Sequence, residues 1–125
     1  MSCFVCNDVT IAAVAFWACG PKATRYSRLN AGMILAAENL RAFNARYPRH
    51  HSDGPAEHTP TVHDLKRVED LDPREALGAI RCYRYQIAET SDWEHTPAGL
   101  ISAAALTKAE IVAGTDNPGD FWDLN

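Results

Sequence analysis

Two cysteines near the start, Cys3 and Cys6, are separated by two residues, the spacing that zinc sites use. His50, His51, His58 and His63 are the other candidate ligands, but no pattern fixes their spacing. A zinc motif without its second half is weak, so no metal and no cofactor is expected. No strand-then-helix context of the thioredoxin kind surrounds the pair, which argues against a redox role. Cys82 and His95 can form a nucleophile and base, although two polar residues on adjacent helices more commonly just pack. There is no nucleophile elbow, phosphate-binding loop or dinucleotide glycine pattern. No carboxylate pair demands catalysis. No catalytic residue is therefore assigned. The enzymatic alternative is a small hydrolase or nuclease using the His-rich loop with Asp53 or Asp64.

The elements that must position these residues are helices. Asp72-Pro73-x-Glu75 combines an N-cap, a proline at the first helical position and a capping-box carboxylate. Ala76, Ile80, Tyr83 and Ile87 then recur on one face. Gly78, Cys82, Tyr85 and Glu89 lie on the other, with Gln86 alongside. A helical glycine costs about 1 kcal/mol against alanine, so Gly78 is expected to admit a second backbone. This helix, packed on two sides, is expected to be the middle of a bundle. Buried Tyr83, Tyr85 and Gln86 then need hydrogen-bond partners, which form either a polar pocket or ties between helices.

An apolar run follows the Asn7 cap and ends at Gly20-Pro21, predicting a helix over 8–19 that is either central or half of an oligomer contact. A long helix over 23–46 carries a seam of Leu29, Met33, Ala36, Leu40, Phe43 and Tyr47. Residues 48–71 are predicted as a long His- and Pro-rich loop, with a short extended piece near Thr61–His63 and with Leu65, Val68 and Leu71 docking it back. Helices over 73–89 and 97–113 follow, the last burying Leu100, Ala104, Ile111 and Val112. Trp93 is expected to anchor the connector in the core. The tail, 115–125, is polar except for Phe121, Trp122 and Leu124. The expectation is one all-α domain over 1–125, a bundle of about four main helices.

With 46% hydrophobic and 22% charged residues, the chain reads as an ordinary globular domain. The apolar run Val9–Cys19 is too short for a membrane span, and no basic stretch precedes it as in a signal peptide. No membrane partner is expected, and the cytoplasm is the expected compartment. There the cysteines should be reduced thiols. The net charge of −4 is uneven: residues 1–50 carry +4 and the remainder −8. Lys22, Arg25, Arg28, Arg41, Arg46 and Arg49 could meet nucleic acid, with Tyr26 and Tyr47 stacking. The acidic balance, with pI near 5.7, disfavours it.

Several motifs carry a resemblance: Met1-Ser2-x-Phe4-Val5, Glu38-Asn39 followed by Arg46-Tyr47, and Ala79-Ile80-x-Cys82-Tyr83-x-Tyr85-Gln86-x-x-Glu89 with Trp93-Glu94. Together they resemble a family of small uncharacterised proteins of bacterial chromosomes, plasmids and phages. The family pattern has a second cysteine just before the Glu, where this chain has Ala88. The family has no established activity. Its mobile-element context implies host interference, such as an anti-CRISPR role. The expected function is a non-catalytic protein-binding module, with homo-oligomerisation open. Its candidate surface is Glu38 and Asn39 with Tyr85, Gln86 and Glu89, and Trp93 beside them. If these polar sets converge, they form either a buried network that locks two helices or a shallow recognition site. The locking network is favoured.

Overall fold

Seven consecutive residues, Ile11 to Trp17, are buried in the computed structural model, which describes residues 7–47 and 59–114. Burial of consecutive helical residues means burial on every side. The helix that holds them, α1 (Asp8–Cys19), packs against each of the other four: α2 (Arg25–Arg46), α3 (Val62–Val68), α4 (Pro73–Ile87) and α5 (Pro97–Ala113). The described residues are all-helical, without strands. The middle of the assembly is α1, not the helix expected there over 73–89, which is α4. Alanines at 12, 13 and 15 let its neighbours approach closely. Asn7 caps α1 by accepting from the Thr10 amide at 2.9 Å. Gly20, at φ 83°, ends it in a conformation that side chains avoid. The Lys108 ammonium donates to the Ala18 carbonyl at 3.1 Å, where the helix dipole favours a cation.

α4 is one-sided rather than doubly packed. Ala76, Ile80, Tyr83 and Ile87 are fully buried, as their spacing predicts. Gly78 is exposed and a Cβ there would meet open space, so it admits no second backbone. The glycines in close contact are elsewhere: Gly32 faces the Pro60 ring, and Gly99 faces the backbone of Trp93 and Glu94.

Two further faces are rotated from their expected positions. On α2, Ala36 and Phe43 of the predicted seam are buried but Met33 is 54% exposed, and Leu35, Glu38, Asn39 and Ala42 are buried as well. Polar residues at 38 and 39 disguise that stripe from a hydrophobic count. On α5, Leu100 and Ile111 are mostly exposed and Ala104 is half-buried; of the four expected positions only Val112 is buried. The inward stripe is Ala98, Gly99, Ser102, Ala105 and Ala109. Small side chains there allow close contact with α1 and α4, which larger ones would prevent.

The predicted loop over 48–71 contains α3, and Thr61–His63 begins a helix rather than an extended piece. Residues 48–58 and the 115–125 tail lie outside the described residues. Leu65 and Val68 are buried, and Leu71 packs against the core, as docking required. A capping box starts α3. The Thr61 amide and hydroxyl donate to Asp64 Oδ2 at 2.9 and 3.0 Å, and the Asp64 amide donates to Thr61 Oγ1 at 3.3 Å. The Thr61 amide is the main reason that the Asp64 carboxyl titrates below its ordinary range; burial opposes it. A depressed folded pKa gives stability above the unfolded value that is lost as pH falls through the folded one. Asp64→Ala should therefore cost about 1 kcal/mol at neutral pH. In urea unfolding followed by circular dichroism, that gap should close as pH falls below the ordinary carboxylate range. A gap that persists unchanged in acid would contradict this role.

Candidate functional site

The residues named from the sequence fall into two sets. Glu38, Asn39 and Gln86 are buried. Tyr85 is 58% exposed, Glu89 is exposed, and Trp93 is half-buried against the core rather than anchored within it. Glu38 and Asn39 thus belong to the packed face of α2, not beside it. Tyr83, one turn before Gln86, donates from Oη to the Leu35 carbonyl at 2.6 Å, a buried tie between α4 and α2. Glu38 pairs with Arg41 through one carboxylate oxygen. Its other oxygen, and both polar atoms of the Gln86 amide, have no hydrogen-bond partner among the described residues. The buried layer is therefore not a fully satisfied network.

The exposed set is built around a residue absent from the named surface. Arg46, in the last turn of α2, places its guanidinium 5.1 Å from the Tyr85 ring centroid. It pairs with Glu89 at 2.9 Å and donates from Nη2 to the Tyr85 carbonyl at 3.4 Å. The guanidinium thus joins the ends of α2 and α4 and holds the ring against the surface. The Arg46-Tyr47 pair in the resemblance was the signal for it. A similar stack lies at the other junction. Arg84 sits 4.8 Å from the Trp93 ring centroid and donates to the Gly99 carbonyl and Ser102 Oγ, both at 3.0 Å.

Of the chemical candidates among the described residues, Cys82 and Asp64 have structural roles. Cys82, expected as a reduced thiol and paired with His95, is disulfide-bonded. Spacing alone did not report that pairing, and a sulfur held in a disulfide is no thiolate nucleophile. His95 sits on an exposed 3₁₀ turn beside Asp92, at 3.1 Å. Cys19 is a free thiol that donates to the Ser27 carbonyl at 3.7 Å. Burial pushes its pKa up, against the pull of Arg28 and Lys108. Asp64 caps α3. Cys3, Cys6, His50, His51, Asp53 and His58 lie outside the described residues. Among the described residues no cluster of three or more His, Cys, Asp or Glu side chains could hold a metal.

The basic residues of α2 are similarly divided. Arg28 turns inward, donating from Nη2 to the Gly20 carbonyl at 2.7 Å, with its guanidinium 4.3 Å from the Phe16 ring centroid. Arg41 and Arg46 are paired with carboxylates. Tyr26 is exposed, but Tyr47 is half-buried and packs its ring 4.9 Å from Phe43. No described helix is long and apolar enough to cross a membrane. No protein-family model, curated protein or solved structure matches the chain.

Proposed function

We propose that the chain is a non-catalytic protein-binding module whose recognition surface is the Arg46–Tyr85–Glu89 cluster. The observation that carries this is an exposed tyrosine ring held in place by a buried-stemmed arginine. Tyrosine and arginine are the residue types that dominate binding energy at interfaces. A ring already fixed loses little conformational freedom on binding. The resemblance makes a host defence complex, inhibited in the anti-CRISPR manner, the first partner to try.

The test is a pull-down from host lysate with wild-type protein and variants, each also melted. Tyr85→Ala should lose the stoichiometric complex, by at least about 2 kcal/mol of binding, with its melting temperature unchanged. Gln86→Leu should keep the complex and gain about 1 kcal/mol of stability, because it removes a buried amide without partners among the described residues. Substrate turnover abolished by His50→Ala, His51→Ala or His58→Ala would instead establish the hydrolase alternative. A complex unaffected by Tyr85→Ala would remove this surface from consideration.

A further inference from the structure

A cleft of about 260 Å³ lies between the start of α2 and α3, lined by Arg25, Arg28, Val62, Leu65, Lys66 and Glu69. We infer that it binds a phosphate dianion, either free or carried as a small monoester. Three positive charges against one negative leave +2 at its walls. A phosphate monoester carries about −1.5 to −2 at neutral pH, which neutralises that excess. Nothing within the first turn of α2 does so: it has no acidic residue, and its dipole adds further positive potential. Arg25, the first residue of α2, stands against the helix dipole, which an anion in the cleft would relieve.

Arg28 is preorganised for this role. The Gly20 carbonyl and the Phe16 ring hold its guanidinium in place. A fixed planar guanidinium suits phosphate oxygens, whereas Arg25 and Lys66 are exposed and supply mobile charge. Val62 and Leu65 give the cleft apolar walls, which strengthen electrostatic contacts. Small-molecule pockets usually run about 300–1,000 Å³, so this one suits a small anion. A nucleic-acid strand fits less well. The chain is net acidic, Glu69 stands in the cleft, and Arg41 and Arg46 farther along α2 are paired.

The test is calorimetric titration of the full chain, at physiological salt, with inorganic phosphate and with adenosine 5′-monophosphate. Both should bind in the millimolar range or tighter, and adenosine should not bind. Arg25→Gln and Lys66→Gln should each weaken binding about tenfold, and Glu69→Gln should strengthen it. Arg74→Gln, an exposed cation on α4, should leave it unchanged. Equal affinity for the two probes identifies free phosphate as the ligand. A monophosphate advantage of about tenfold or more identifies an ester. The site is disproved by silence of both probes up to about ten millimolar. Equal weakening by Arg74→Gln would also disprove it, since that marks diffuse charge rather than a site.

Discussion

Replacing Gly99 with alanine is expected to destabilise the protein by about 2–4 kcal/mol. Helix propensity alone predicts the opposite, a gain of about 1 kcal/mol. Close packing decides the sign. A Cβ at 99 would overlap the Trp93 carbonyl oxygen and lie 3.1 Å from backbone carbons of Glu94. Both belong to backbone, which cannot swing away as a flexible side chain would. The surrounding junction is also tied. The Gly99 amide donates to Thr96 Oγ1 at 3.0 Å, the Thr96 hydroxyl donates to the Trp93 carbonyl at 2.8 Å, and Arg84 holds the Gly99 carbonyl. Gly78→Ala is the control. Its Cβ meets nothing, so that variant should gain up to about 1 kcal/mol. Urea unfolding of the two variants should therefore move in opposite directions. Two gains would show that the junction yields freely.

Ile11→Ala should cost about 2–5 kcal/mol, and Leu100→Ala less than about 0.5 kcal/mol. Ile11 is fully buried in α1, with packed helices on every side that cannot all collapse into the space left. Leu100 is 59% exposed, so its loss removes little packing. Hydrophobicity does not separate the two residues; position does. Equal losses in thermal unfolding would place α5 with its Leu100 face inward and refute the packing described above.

Local signals made the helix positions legible. Asn7, Asp72 and Thr96 all act as N-caps, Pro73 and Pro97 occupy first turns, and Gly20 stops α1. These features act over a few residues, so a chain read in order reveals them. The short helix α3 was hidden because seven residues give too little periodicity; its Thr61–Asp64 box was the available sign. The faces were less legible. The α2 stripe includes Glu38 and Asn39, and the α5 stripe is built of Ala, Gly and Ser. Both break the rule that the most apolar side chains point inward.

The candidate surface shows the same division. Residue types and the resemblance brought Tyr85 and Glu89 forward together with Gln86. Burial then separated neighbours on a single helix, because successive helical residues are about 100° apart. Arg46 joined them from α2, 39 positions away in the chain from Tyr85. By itself the sequence determined that the described chain is helical, where four of its helices lie, and which residues begin three of them. Only the tertiary structure decided that α1 is the centre, that Glu38, Asn39 and Gln86 face inward, and that Arg25, Arg28 and Lys66 share a cleft. Caps and breakers act through nearby backbone groups. A helix's inward face and a side chain's distant partner depend on how all the helices fill space together.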